Sequence, residues 1–516
     1  MFTNLKKIIS LIFFTSVLTF VFADTTNIPG LYRYKLDNGF ELFVAENDSA
    51  PLAYIEIAVR AGAVTQTPQN AGLFHLYEHM MFKGNEKYAN QEAFTNAANE
   101  MGRIDENGST SIDRVNYFFT VPVSQVRRGI EFWSYAIRTP KLDDQELENE
   151  KSVVLSEINA DFTNPSRIRS AAIFKNLFPK APWRVDAGGN PAVVKEATSD
   201  ILREIQKNYY IPSNAALFVG GDVEHEEIFQ YVKEIYSDWQ NPAESVKFDS
   251  SVSKNPLSKD KKLVLVNPGN DDNMINIGFN LRGPDGETDS ADIYPADVWS
   301  YIVGSPDGVY SNMFIEEKAL HIPESDYVAA SYSCFRTSGI IGFYAAMLND
   351  NSSSIETETN YGLGSIDTLN TENLSPVEKS ELFLATLKKK VIPAMANKEV
   401  FFKDRGISFV IQQLEDSRIY ELETAKSILS SLSSCWSACG SDYFFSYDNN
   451  IANVTEDEVV AFIQKYIQNK NGVLVVTVSP NMWEKYKDSF ISHGYEEITA
   501  ENAFWHKSYN ASIELK

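Results

Sequence analysis

The sequence predicts an α+β protein made of two related domains, and three observations support this fold class. The 516-residue chain is longer than a single hydrophobic core normally supports. Short β-rich runs alternate with helical patterns along its whole length. A helix followed by a buried strand closes both halves, first at 198–219 and again at 455–478. We therefore expect one structural plan used twice.

The composition is that of a globular protein, with 43% hydrophobic and 22% charged residues. These values exclude a disordered, collagen-like or small disulfide-stapled chain. The formal net charge is −24 at pH 7. A field of that sign argues against a nucleic-acid partner and against binding to an anionic membrane surface.

The first 23 residues have the pattern of a secretory signal peptide. Lys6 and Lys7 precede an apolar run over 8–22, and small residues suitable for cleavage end at Ala23. The alternative is an uncleaved N-terminal anchor. No other stretch reaches membrane-spanning length, so cleavage would leave no stable membrane span. We expect a periplasmic or secreted protein.

Turn and cap residues mark the predicted elements of the first half. Asn38-Gly39 between two β-rich runs predicts a hairpin, and Asn70 and Gly84 are cap candidates for a helix between them. Asp143, with Glu146 three residues later, predicts a capped helix start. The predicted strands are Leu31–Leu36, Phe40–Ala45, 53–59, Tyr117–Val123 and Ala215–Val219. The predicted helices are Ala71–Lys83, Gln125–Ile137, Asp143–Asp161, Thr198–Asn208 and Glu226–Trp239.

The second half repeats the plan after a stretch poor in large apolar residues. We expect domains at 24–240 and 263–516, a linker at 241–262 and a flexible polar insertion at 349–375. The predicted strands are Lys262–Val266, Met274–Leu281 and Gly472–Val478, and the predicted helices are Ala291–Ile302 and Thr455–Asn469.

The strongest chemical signal lies in the predicted helix 71–83. His75 and His79 are four residues apart and share a helix face, so both imidazoles can reach one ion. Glu78 lies beside them, close enough to touch a metal-bound water without being a ligand itself. Burying these groups in an apolar helix without partners would cost several kcal/mol. The alternative is a pair of hydrogen-bonded core histidines, but the chain has only six histidines, which makes this spacing by chance rare.

A catalytic zinc needs a third protein ligand and leaves one position open. Glu150 and Glu157 are seven residues apart in the predicted helix 143–161, which places both on one face, beside its apolar residues. We expect Glu157 to be the third ligand and Glu150 either to support the site from behind or to hold the water. The alternative is that both are surface carboxylates of an acidic helix.

These motifs resemble the inverted-motif zinc peptidases of the pitrilysin/insulinase family, in particular the two-domain branch that includes mitochondrial processing peptidase. The resemblance rests on 75–79, on Glu150 with Glu157, on 209–222 and on 107–113. It implies two α/β-sandwich domains, each an antiparallel or mixed sheet with helices on one face, that form a clamshell around a chamber. It also implies one Zn²⁺ per chain, peptide substrates bound as an added strand, and a metal-free second domain.

The sequence departs from this family at one place. Active members supply an Arg and a Tyr, seven residues apart, from the second domain to stabilise the oxyanion. Here Lys318 and Tyr327, nine residues apart, are the candidates, with a core role as the alternative for Tyr327. Two hypotheses follow: an extracytoplasmic zinc endopeptidase, or a weakly active or inactive homologue that serves as a binding or assembly subunit. A homodimer or a hetero-oligomer with another family member is compatible with either.

Three cysteines occur in the whole chain: Cys334, Cys435 and Cys439. An oxidising compartment permits disulfides, but so few cysteines exclude a disulfide scaffold. Cys435 and Cys439 are four residues apart, and the sequence leaves open whether they pair or are buried thiols.

Overall fold

The computed structural model of the chain describes residues 24–244, 257–305, 308–349, 374–403 and 406–508. The predicted signal segment 1–23 lies outside the described residues, as do most of the predicted linker and of the predicted insertion. The strands form one seven-stranded and one six-stranded sheet. Within the described ranges, no helix combines the length and the apolar character needed to cross a membrane.

The first sheet has the strand order β1-β2-β3-β7-β4-β6-β5. Its strands are β1 Asp24–Thr25, β2 Leu31–Lys35, β3 Glu41–Glu46, β4 Leu52–Val59, β5 Ile104–Thr110, β6 Val115–Pro122 and β7 Ala215–Gly221. The predicted hairpin is confirmed: β2 and β3 pair antiparallel, and Gly39 takes the positive φ of 90° that the turn requires. Strands β3 and β7 pair parallel. The other described pairings in this sheet are antiparallel.

The second sheet has the order β10-β11-β9-β12-β8-β13. Its strands are β8 Lys261–Val266, β9 Met274–Gly283, β10 Val328–Cys334, β11 Gly339–Leu348, β12 Val473–Val478 and β13 Glu496–Ile498. The run β8-β12-β9-β11-β10 repeats β3-β7-β4-β6-β5 of the first sheet, with one parallel pair followed by antiparallel pairs in both. This confirms the predicted repeat.

Helices connect some of these strands along the chain. Those of the first half are α1 Leu73–Met81, α2 Gln91–Glu100, α3 Val126–Arg138, α4 Asp144–Asp161, α5 Pro165–Leu177, α6 Pro191–Lys195, α7 Ser199–Tyr209 and α8 His225–Tyr236. Those of the second half are α9 Ser290–Gly304, α10 Val309–Ile315, α11 Pro376–Thr386, α12 Ile392–Met395, α13 Lys398–Phe401, α14 Ile407–Glu421, α15 Ala425–Ala438, α16 Ser441–Ala452, α17 Glu456–Tyr466, α18 Pro480–Ser492, α19 Ala500–Ala503 and α20 Trp505–Ser508.

Each sheet is also covered by a helix from the other half of the chain. The first half packs α1, α3, α4, α7 and α8 against one face of its own sheet, as predicted. The opposite face of that sheet, however, packs against α15. The second sheet likewise receives α5. The reason is that β7 and β12 are buried along their whole length, so both faces of each sheet need an apolar cover.

The contact between α15 and the first sheet contains a buried carboxylate. Glu56, in β4, is fully buried. Its Oε1 accepts hydrogen bonds from Ser433 Oγ at 2.6 Å and Asn116 Nδ2 at 2.9 Å, and its Oε2 accepts one from Tyr54 at 2.7 Å. Because a buried charge is tolerated only when it is satisfied, this set ties α15 to the first sheet.

Candidate metal centre

Helix α1 begins at Leu73, two residues after the predicted start. Gly72 precedes it with a φ of +96°, and a Cβ there would lie 2.7 Å from the backbone oxygen of Gly188. Only glycine therefore fits where the helix begins. Asn70 does not cap the helix with its side chain, because its Oδ1 accepts the backbone N–H of Thr67 at 2.6 Å instead.

Helix α1 has its apolar side chains on one side and its candidate metal ligands on another. Six apolar residues are buried in the core of the first half: Leu73, Phe74, Leu76, Tyr77, Met80 and Met81. The side chains of His75 and His79 are 21% and 18% exposed. The packing of α1 thus leaves both imidazoles on the face that borders a cavity.

Helix α4 supplies the two carboxylates that the sequence singles out. Asp143 caps it by accepting the backbone N–H groups of Gln145 and Glu146. Two turns separate Glu150 and Glu157, and α4 packs against α1. The Glu150 side chain is 9% exposed and the Glu157 side chain is 48% exposed. Glu150 therefore faces the packed interior, and Glu157 faces the cavity.

Three ligand atoms form a nearly equilateral triangle. His75 Nε2 lies 3.3 Å from His79 Nε2, and Glu157 Oε2 lies 3.5 Å from each of them. Zinc binds such atoms at about 2.0–2.2 Å, so the edges of a tetrahedral ligand set measure about 3.3–3.6 Å. The triangle fits a zinc ion that keeps a fourth position open. Among the described residues, these three are the group of His, Cys, Asp and Glu able to hold a metal ion.

Burial keeps the first imidazole ready to bind a metal. Desolvation, with a smaller contribution from His79, lowers the pKa of His75 to about 4. The ring is therefore neutral near pH 7, which is the form that coordinates a cation. Its Nδ1 is buried and has no hydrogen-bond partner among the described residues.

The second imidazole is held by a carboxylate and a lysine. His79 Nδ1 lies 3.0 Å from Glu150 Oε2, and Lys83 Nζ contacts Glu150 Oε1. Lys83 also donates to Gln91 Oε1 at 2.9 Å. A carboxylate on the second ring nitrogen directs the other nitrogen outward and orients the ring. Lys83 is not among the residues predicted from the sequence, although its position four residues after His79 could have placed it on the same face.

Glu78 lies beside the triangle and touches the edge of the first sheet. Its Oε2 accepts a hydrogen bond from Thr110 Oγ1 at 3.0 Å. Burial raises the pKa of this carboxyl above its usual value. A Cβ on Gly108 would lie 2.9 Å from Glu78 Oε1, so the strand β5 passes directly alongside the carboxylate. A carboxyl group held in this way can exchange protons with a bound water.

The cavity beside the triangle lies between the two halves of the chain. It has a volume of about 1000 Å³ and is lined by His75 and Glu157 from the first half and by Asp297, Cys334 and Tyr443 from the second. A second cavity of about 580 Å³ shares His75 and Glu157 with it and reaches Glu78. The candidate site is thus open to a chamber that both halves enclose.

A buried carboxyl group joins the halves at the wall of this chamber. Asp113 accepts the backbone N–H of Arg336 at 3.1 Å. Burial raises the pKa of Asp113 to about 7, despite the lowering by that hydrogen bond and by the guanidinium of Arg336. In the sequence, Asp113 is only the last residue of the stretch 107–113. Its contact with Arg336 could not be predicted, because the two residues are 223 positions apart.

Lys318 and Tyr327 do not reach this chamber. Lys318 is exposed at the start of a 3₁₀ turn, and Tyr327 precedes β10. Strand β10 has seven residues, and its far end, Cys334, lines the cavity. Tyr327 therefore lies roughly 20 Å from Cys334 along the strand. The structure therefore brings together His75, Glu78, His79, Glu150 and Glu157 but not these two candidates.

Two family models match consecutive parts of the chain. Residues 42–184 match the insulinase family, peptidase family M16, and residues 196–369 match the M16 inactive domain. The chain belongs to peptidase family M16. The candidate metal centre lies within the first match, and the second sheet begins within the second.

Curated M16 relatives resemble parts of the chain at low identity. The uncharacterized zinc protease YmfH of Bacillus subtilis is 26% identical over 216 residues, which cover 40% of this chain and 48% of YmfH. The mitochondrial-processing peptidase subunit beta of Blastocladiella emersonii is 21% identical over 62% of this chain and 67% of its own length. The chain thus spans about half the length of the first of these relatives.

Solved M16 structures share the fold over most of the chain. A protease from Helicobacter pylori superposes with a TM-score of 0.70 at 15% identity, covering 87% of this chain and 100% of its own. The periplasmic protease PqqL from Escherichia coli gives a TM-score of 0.67 at 14% identity over 90% of this chain and 49% of its own. These likenesses confirm the predicted two-domain clamshell.

Proposed function

We propose that the chain is a zinc-dependent endopeptidase with one Zn²⁺, held by His75, His79 and Glu157. The observation that carries this proposal is the triangle of their ligand atoms, whose edges of 3.3–3.5 Å match a tetrahedral zinc site. Three protein ligands leave a position open, which is typical of catalytic rather than structural zinc. The naming of M16 relatives as zinc proteases supports the choice of metal.

The other side chains of the site have separate catalytic and supporting roles. A zinc ion bound here would supply Lewis-acid activation of water and of the scissile carbonyl group. Glu78 accepts the proton of the attacking water and returns it to the leaving amine, and Thr110 holds the carboxylate by its hydrogen bond. Glu150 supports the site by orienting the His79 ring.

The substrate class follows from the edge of the first sheet and from the size of the chamber. β5 is the outermost strand and, among the described residues, pairs with β6 alone, so its other edge is available to an extended peptide. Gly108 of this strand lies beside Glu78. A chamber of about 1000 Å³ holds a short extended segment but excludes a folded domain. We therefore assign peptides or unfolded segments as substrates.

The domain division and the location belong to the same proposal. We assign zinc binding to 24–240 and a metal-free role to 263–516, because α9, which follows β9 as α1 follows β4, contains no histidine. The strand β8 begins at Lys261, two residues before the predicted start of the second domain. We assign the protein to the periplasm or the outside of the cell on the pattern of residues 1–23. The likeness to PqqL, which is described as a periplasmic protease, supports this location.

A second candidate function is a weakly active or inactive subunit that binds peptides or assembles with another M16 chain. It is favoured by the positions of Lys318 and Tyr327, which lie away from the chamber. The tyrosine that does line the chamber, Tyr443, donates its hydroxyl group to Asp297. Relatives named as a subunit of mitochondrial-processing peptidase support a hetero-oligomer, and a homodimer is the other arrangement.

One experiment separates the two functions. The purified chain is incubated with a quenched fluorescent peptide or insulin B chain, with and without a zinc chelator, and zinc content is measured on the same samples. An endopeptidase cleaves, loses cleavage on chelation, and loses about 10²–10⁴-fold in kcat in Glu78→Gln while keeping its zinc. Glu92→Gln, at an exposed glutamate of α2, is the matched control. Wild-type turnover no faster than that of Glu78→Gln would favour the subunit instead.

A further inference from the structure

The three cysteines of the chain lie around the C-terminal end of α15. Cys435 belongs to its last turn, Cys439 is the residue that ends it, and Cys334 is the last residue of β10. All three are free thiols, and all three line the chamber. The Sγ atoms of Cys334 and Cys439 are 3.5 Å apart, although 105 positions separate these residues in the chain.

We propose that Cys334 and Cys439 form a disulfide bond in the mature protein. A disulfide needs its sulfur atoms about 2.05 Å apart, so the two atoms must approach by about 1.5 Å, a distance within the reach of side-chain rotation. This inference rests on the location outside the cytoplasm given under the proposed function, because disulfides persist in oxidising compartments.

The pairing that the sequence left open, Cys435 with Cys439, does not fit the helix. The backbone N–H of Cys439 donates to the oxygen of Cys435 at 2.8 Å, so these residues keep helical spacing. Cβ atoms four residues apart on a helix lie about 5–6 Å apart, whereas a disulfide needs about 3.5–4.5 Å. Bonding Cys435 to Cys439 would therefore unwind the end of α15.

The bond forms by exchange with an external disulfide. Cys334 and Cys439 lose two protons and two electrons, and an oxidant such as glutathione disulfide or a protein disulfide takes up the electrons and leaves as two thiols. The contact with Cys334 and burial raise the pKa of the Cys439 thiol. Burial raises the pKa of Cys435 to about 12. Because thiolates are scarce in the folded protein, the bond forms during folding and then exchanges slowly.

The bond would join elements that pack on different sheets. α15 is buried against the first sheet through Leu429, Leu432 and Trp436. β10 is the outermost strand of the second sheet. The disulfide would therefore fasten the wall of the chamber by linking a strand of the second sheet to a helix packed on the first sheet, and it would close a loop of about 100 residues. A loop of that length restricts the unfolded chain strongly, so the oxidised protein is expected to melt about 5–10 °C above the reduced protein.

The test is a non-reducing peptide map of the full chain, exported to an oxidising compartment and alkylated in denaturant on lysis. We expect one linked peptide pair containing Cys334 and Cys439, about 2 Da lighter than the two thiol peptides together, and alkylated Cys435. A second sample, unfolded and reduced in denaturant and then refolded with glutathione disulfide present, tests the pairing independently of export. Alkylation of all three cysteines in the treated sample, or a linked pair containing Cys435, would overturn the proposal.

Variants connect the bond to the stability of the protein. Cys435→Ser is the matched control and should keep both the linked peptide and the higher Tm of the oxidised form. Cys334→Ser and Cys439→Ser should lose both. Peptide cleavage with and without a chelator, measured on the same samples, reports on the proposed endopeptidase separately, so that either result can fail alone.

Discussion

Replacing Lys83 by methionine should weaken zinc binding although Lys83 is not a ligand. Lys83 and Glu150 form an ion pair in which the side chains are only 12% and 9% exposed. Without the lysine, the Glu150 carboxylate is left nearly buried with His79 as its remaining partner, so it orients the ring less firmly. Loss of such a supporting contact costs 10–100-fold in metal affinity, or about 1.4–2.7 kcal/mol.

The assay is competition for Zn²⁺ between the protein and a coloured chelator near pH 7.5. Lys87→Met is the matched control, because Lys87 pairs with Glu131 at 3.0 Å on the surface, away from the imidazoles. Lys83→Arg should restore part of the affinity, since it keeps the charge. Equal zinc affinity in Lys83→Met, Lys87→Met and wild type would refute the argument that Glu150 and Lys83 position His79.

Three further predictions concern stability. Zinc at 100 times its Kd should stabilise the wild type by about 2.7 kcal/mol, so a chelator should lower its Tm but leave that of His75→Ala unchanged; equal shifts would place the metal elsewhere. Ser433→Ala removes a hydrogen bond to the buried Glu56 and should cost about 1.5–3 kcal/mol in urea unfolding, whereas Ser434→Ala on the same helix should cost little; equal losses would contradict this. Folding raises the pKa of Asp113 to about 7, so the folded state binds the extra proton and stability falls as pH rises from about 4 to 7. The free energy of unfolding of Asp113→Asn minus that of wild type should therefore be larger at pH 8 than at pH 5. If denaturant unfolding shows that both free energies change in parallel with pH, this prediction is wrong.

Short sequence patterns predicted the local structure correctly where the signal is strong. The hairpin β2–β3, the two histidines on one face of α1 and the capped start of α4 are all present. The pattern missed β5, whose residues are mostly polar, and α15, which is rich in serine. β5 is a strand because it pairs with β6, and α15 is fixed by its packing on the first sheet. Neither cause is visible in a short window of sequence.

The sequence by itself determined which residues share a helix face. The spacing of His75 and His79, and that of Glu150 and Glu157, follow from 3.6 residues per turn, which holds in any context. Only the tertiary structure decided which faces meet. It set Glu157 against both imidazoles, Lys83 against Glu150, and Cys334 beside Cys439. The physical reason is that distances within a helix are fixed by local backbone geometry, whereas distances between elements are fixed by the packing of apolar surfaces along the whole chain.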